Sequence, residues 1–176
     1  VGSALAAHRA IGAIAMVGGT DAAASIQSVA AGAKSMKKLK FDLGNNHAMV
    51  VAPDADLDAL LPVAMTAAFG CDAGQRAHSL GRLIVHKDVA PELTRRLVDA
   101  ASRVRLGHPM SADGVDMGPL VSKKQLALLR AGVDELVAAG GELLLGSAAQ
   151  TPAPGADLEG GNWMAPVIVG NFSYER

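Results

Sequence analysis

The chain has 176 residues, enough for one domain with a buried core, and its formal net charge of −1 excludes broad electrostatic binding to nucleic acid or an anionic membrane. Half of it is hydrophobic but only 3% is aromatic, so the core has to be built from Ala, Val, Leu and Ile, which suits closely packed helix-on-sheet layers. A single cysteine rules out an internal disulfide framework and fits a reducing, cytoplasmic compartment, and no apolar run reaches membrane-spanning length.

The start, Val1-Gly2-Ser3, has neither an initiator Met nor a signal-peptide pattern, and reads as a cut in a longer sequence. Ile11 to Val17 is an apolar run closed by Gly18-Gly19, which predicts a buried strand and a tight turn. Thr20 to Gly32 predicts a helix, with Thr20 or Asp21 as cap and Ile26 and Val29 facing inward. Leu39, Phe41 and Leu43 alternate with Lys38, Lys40 and Asp42, a strand pattern, and Ala48 to Ala52 is a second short strand.

Asp54 opens the clearest helix. Leu57, Leu60, Leu61, Ala64, Met65 and Ala68 form one apolar stripe, and Pro62 within it should kink it. Gly70 to Arg76 reads as a loop, Arg82 to His86 as a strand, and Pro91 to Val104 as a helix with Pro in its first turn. Gly107 to Gly118 is irregular. Ser122-Lys123-Lys124-Gln125 is a capping box, opening a helix that runs to Gly140-Gly141. Leu143 to Leu145 and Ala165 to Val169 are further strands, with a Pro- and Gly-rich surface loop from Thr151 to Gly161 between them. Strands alternating with helices of ten or more residues give an α/β class with an open, mostly parallel sheet and flanking helices.

Several residues invite a chemical reading beside a structural one. Gly18-Gly19 before a helix could hold a phosphate on backbone N–H groups, or be an ordinary strand-to-helix turn. Asp42 before Leu43-Gly44-Asn45 could be a general base or the cap of a turn. Cys71, the only thiol, could be activated by Arg76 or be a small buried hydrophobe. His47, His78 and His86 lack metal-ligand spacing, so no metal site is expected. Lys37, Lys38 and Lys40 read as a solvated strand edge.

Together these segments resemble the aldehyde dehydrogenase superfamily. Its F-T-G-S-T strand end is matched by Met16-Val17-Gly18-Gly19-Thr20, and its E-L-G-G-K-N-P by Asp42-Leu43-Gly44-Asn45-Asn46-His47-Ala48. Its D-A-D-L-D is matched by Asp54 to Asp58, its G-Q-R-C by Gly74-Gln75-Arg76-Ala77, and its R-R-L-I-V-H by Gly81 to His86. Its D-M-G-P-L-I-S is matched by Asp116 to Ser122. Gly44-Asn45-Asn46 and the Leu83 to His86 strand resemble the antiquitin-type aminoadipic semialdehyde branch. Asn46-His47-Ala48 and Pro53 to Asp56 resemble the methylmalonate semialdehyde branch.

The resemblance implies an incomplete catalytic domain over 44–176, preceded by a remnant of the NAD(P)-binding domain over 1–43. It implies Gly18, Gly19, Leu43 and Gly44 as cofactor-binding positions, an aldehyde substrate, and a homo-oligomer. In the family a Cys thiolate attacks the aldehyde carbon, hydride passes to NAD or NADP, and water activated by the Glu of E-L-G-G releases the acid. The backbone N–H at the Cys position helps form the oxyanion hole. Here Ala77 stands at the nucleophile position and Asp42 at the general-base position. Gly19 replaces Ser, Ala23 replaces a common Gly, and the loop from Gly70 to Ala77 is one residue longer. The expectation is an impaired semialdehyde dehydrogenase that does not bind NAD(P) as it stands. The alternative is a non-catalytic homologue or truncated fragment serving subunit association.

Overall fold

A computed structural model describes residues 1–70, 72–110, 114–147 and 160–171. The chain forms two compact units, Val1–His47 and Ala48–Arg176.

The first unit holds α1 (Gly2–Ala7), β1 (Ala13–Gly18), α2 (Thr20–Ala31) and β2 (Lys38–Leu43). β1 and β2 pair in parallel, with Ala13 opposite Lys38 and Gly18 opposite Leu43. Both strands alternate in exposure. Ile14, Met16, Leu39, Phe41 and Leu43 lie on the half-buried face, and Val17, Lys38, Lys40 and Asp42 on the exposed one. α2 packs on the strand pair and on α1, burying Ala23 and Ala30, while Ile26 and Val29 are half-buried. The cap of α2 is Gly19 rather than Thr20 or Asp21, and it makes no side-chain cap bond. The strand delivers the chain so that Thr20 and Asp21 already lie in the first turn, where the Asp21 charge still suits the helix dipole. Lys37 also departs from the solvated edge. Its Nζ donates to the carbonyls of His8 at 2.7 Å and Ile11 at 2.6 Å, pinning the link between α1 and β1.

The second unit contains β3 (His47–Val51, entered from the last residue of the first unit), α3 (Leu57–Met65), β4 (Leu80–Val85), α4 (Ala90–Ser102), α5 (Lys123–Ala138), β5 (Glu142–Leu145) and β6 (Ile168–Gly170). β3 pairs with β4, and β5 with β6 in antiparallel register. α3 begins at Leu57, not Asp54. Asp56 is the better cap because its Oδ1 accepts the N–H groups of Asp58 at 2.9 Å and Ala59 at 3.1 Å. Pro62 has no N–H to return to Asp58, and past Met65 the helix widens into a π-helical turn over Thr66–Gly70. So part of the expected apolar stripe, Ala68 included, lies in this turn rather than in α3.

α4 buries Leu93, Leu97 and Ala101, spaced four apart on one stripe. Arg96 on the same helix bonds both Glu92 and Asp58, tying α4 to the start of α3. The expected capping residue of α5 is in place, with Ser122 Oγ accepting from Gln125 N–H at 3.1 Å. The helix ends in a paired closure. Gly141 donates to Leu136 and Gly140 to Val137, both at 3.0 Å, with Gly140 at φ +98. Beyond Ala, Val and Leu, the core recruits Met117, Met164 and Trp163. Among the described residues no helix is long and apolar enough to cross a membrane.

Candidate active site

In the first unit, the expected cofactor positions lie at the C-terminal ends of β1 and β2. Gly18 ends β1, Gly19 caps α2, and Leu43 ends β2 opposite Gly18. Gly44 then donates its N–H to the Gly18 carbonyl at 3.2 Å. The four expected cofactor positions are therefore gathered at one strand-end junction. A Cβ on Gly19 or Gly44 would meet nothing within 4 Å, so the backbone there is open to an approaching group. The N-terminus of α2, with no side-chain cap, is the anion-favouring end of a helix. Asp42 pairs with Val17 on the exposed face, so its carboxylate is open to solvent rather than buried beneath the turn.

In the second unit, the expected nucleophile position lies in the loop carrying Ala77. Asp72, Ala73 and Gly74 take φ of 50, 54 and 74, three successive left-handed residues. That conformation is costly for a residue with a side chain, and persists only where surroundings over-determine it. Gln75 supplies such surroundings. Its Nε2 donates to the Asp72 carbonyl at 2.8 Å and towards that of Pro119 at 3.4 Å, and its Oε1 accepts from Val121 N–H at 2.8 Å. Arg76 Nε donates to Asp72 Oδ2 at 2.6 Å, and Ser79 N–H to the Arg76 carbonyl at 3.0 Å. Ala77 is half-buried between them.

The two residues after Ala77, His78 and Ser79, form one wall of a cleft of about 400 Å³. Pro62, Val63, Thr66 and Ala67 form the other. The Ser79 hydroxyl is buried and finds no hydrogen-bond partner among the described residues. The segment behind the loop is itself fixed. Asp116 accepts from Arg105 Nε at 3.1 Å and Arg105 N–H at 2.9 Å, and Leu106 bridges to Met117, closing the excursion between them. The Arg105 side chain holds the Asp116 carboxyl below its usual range.

Cys71 lies outside the described residues. His47, His78 and His86 are exposed, and the described residues contain no group of three or more His, Cys, Asp or Glu able to hold a metal ion. Sequence reasoning missed the bridging role of Gln75 and the unpaired hydroxyl of Ser79. Gln75 stood within a motif, but its partners are 44 and 46 residues away, beyond any local signal.

The sequence matches the aldehyde dehydrogenase family over residues 1–175. Its structure is similar to that of 3,6-anhydro-L-galactose dehydrogenase, with a TM-score of 0.87 at 30% identity over 98% of this chain and 35% of that one. PnpE in complex with nicotinamide adenine dinucleotide matches at 32% identity and a TM-score of 0.87, over 96% of this chain and 33% of that one. A cysteine-to-alanine variant of aldehyde dehydrogenase C from Pseudomonas syringae, complexed with NAD+ and octanal, matches at 25% identity and a TM-score of 0.85, over 99% and 34%. This chain spans about a third of the length of these proteins. With an α/β fold shared across that length and the family's motif blocks in order along it, the chain belongs to the aldehyde dehydrogenase family.

Proposed function

We propose that the chain carries the nucleophile segment of an NAD(P)-dependent dehydrogenase that oxidises small semialdehydes to carboxylic acids, and that Ala77 leaves it impaired. The observation that carries this reading is the loop from Asp72 to Ser79. Strained backbone, a clamped Gln75 and a cleft beside position 77 together make a fixed platform, although the side chain at its centre is inert. Residues 1–43 are read as the remnant of the cofactor domain and 44–176 as the catalytic domain. The division of the chain at His47 and Ala48 supports this.

The open glycine junction fits one edge of a nicotinamide dinucleotide, so Gly18, Gly19, Leu43 and Gly44 would hold it. When bound, that cofactor accepts the hydride leaving the aldehyde carbon, while water supplies the second oxygen of the acid. Asp42 is proposed as the base that takes the proton of this water, its carboxylate one methylene shorter than the family's Glu. The apolar wall of Pro62, Val63 and Ala67 would face the carbon chain of the aldehyde. The same reading makes the protein a cytoplasmic homo-oligomer.

A non-catalytic role in subunit association is the second reading. Ala77 favours it, as do Val50 and Val121, which are 74% and 81% exposed. The test is Ala77→Cys in the longest form of the protein that binds NAD+. Aldehyde-dependent NADH formation should rise by several orders of magnitude over the Ala77 form, up to roughly 10⁶-fold, the scale lost when a catalytic nucleophile is removed. Absence of turnover in a variant that binds NAD+ would favour the association role.

A further inference from the structure

We propose that Gln75 is a positioning residue, whose carboxamide acts as a one-residue strand edge fixing the backbone at Ala77 to the segment Pro119–Val121. Its catalytic meaning rests on the reading of position 77 given above; its geometry does not.

The segment offers its two sides in alternation. Leu120 donates its N–H to the Asn162 carbonyl at 2.9 Å and accepts from Asn162 Nδ2 at 3.2 Å. The flanking Pro119 carbonyl and Val121 N–H turn the other way, to Gln75. This is the pattern of an extended strand between two partners, with a side-chain amide in place of the second strand. The segment is anchored, because Leu120, Trp163 and the neighbouring Met164 are all buried. Gln75 thus transfers the rigidity of the core to a loop that would otherwise be free to relax its left-handed turn.

At neutral pH glutamine meets the requirements and its nearest relatives do not. Both its own N–H, at 3.1 Å, and its Nε2 donate to the Asp72 carbonyl, closing the left-handed turn, while Oε1 reaches Val121. Asparagine is one methylene short. An ionised glutamate keeps the acceptor but turns an oxygen towards two carbonyl oxygens. A protonated glutamate has an O–H to give and can restore the pair.

The experiment is 15N relaxation on this chain, comparing the unmodified form with Gln75→Met and Gln75→Glu. In the unmodified chain, Ala77 and His78 should show order parameters near the rigid value of about 0.85, and a nuclear Overhauser contact should join the Gln75 side-chain amide to Val121 N–H. In Gln75→Met the values at Ala77 and His78 should fall below about 0.6, while Leu120 and α5 stay rigid. In Gln75→Glu the loop should be loose at neutral pH and tighten as the carboxyl protonates, from about pH 4.3 or above. A purely structural role would not produce that pH-dependent rescue. Unchanged order at Ala77 in Gln75→Met, or equal loosening of Leu120, overturns the proposal. So does a Gln75→Glu loop indifferent to pH. If neither variant folds, the contact in the unmodified chain decides, and its absence overturns the proposal. No readout involves turnover, so an Ala77→Cys form without activity would leave this result standing.

Discussion

A Cβ added to Gly74 would stand 2.6 Å from the Ala68 carbonyl oxygen, at a φ of +74. The π-helical turn and the left-handed turn are thus packed backbone to backbone, with glycine as the only residue that fits. Gly74→Ala should cost about 2 kcal/mol or more, since a left-handed alanine alone costs roughly 1–2 kcal/mol. Gly132, inside α5 with nothing within 4 Å of its Cβ position, should show the opposite sign. Gly132→Ala should stabilise by about 0.5–1 kcal/mol. Urea unfolding followed by the fluorescence of Trp163, the single and buried tryptophan, measures both. Similar stabilities for the two variants would contradict this account.

Asp56 anchors α3 through two backbone N–H groups. Asp56→Ala should lower stability by about 1 kcal/mol, and Asp56→Asn, which keeps an acceptor oxygen, by much less. The comparison is made by thermal unfolding at neutral pH. Equal losses would mean that charge rather than capping geometry matters at this position.

The Glu92 carboxyl is drawn from 4.5 to about 2, first by the Arg95 side chain and then by Arg96. A carboxyl lowered in the folded state stabilises above its unfolded pKa, and that contribution fades as pH falls through the folded value. Support for α4 should therefore be intact above about pH 4.5 and be lost towards pH 2. Carbon-13 NMR of the Glu92 carboxyl should give a midpoint near the lower value at low salt, and raised salt should move it upward. A midpoint at the ordinary value under low salt would show that the arginine pair is not formed in solution.

NAD+ should bind this chain more weakly than micromolar. On the proposed reading the glycine junction would meet a dinucleotide along one edge only, and Asp21 in the first turn of α2 would repel its phosphate. Micromolar affinity corresponds to roughly −8 kcal/mol, more than one edge supplies. Isothermal titration calorimetry decides; a micromolar dissociation constant would refute the single-edge site.

Local signals carried the elements whose causes are local. The alternation of Leu39, Phe41 and Leu43 specifies β2 because successive side chains of a strand point to opposite faces. Ser122 and Gly140 mark the two ends of α5 because a hydroxyl cap and a left-handed glycine satisfy a helix's own unpaired groups. The motif blocks pointed to the family on the same basis, by residue type at fixed short spacing. Tertiary structure decided the rest. Whether α3 begins at Asp54 or Leu57 turned on which carboxylate met free N–H groups, and both Asp54 and Asp56 are plausible caps by type. The left-handed turn at Asp72 and Ala73 has no residue signature, since neither type prefers it strongly enough to announce it. It is held by Gln75 through Val121, a contact 46 residues apart in the chain. Such a bond exists only once folding has brought two distant segments together, and no periodicity in the sequence records it.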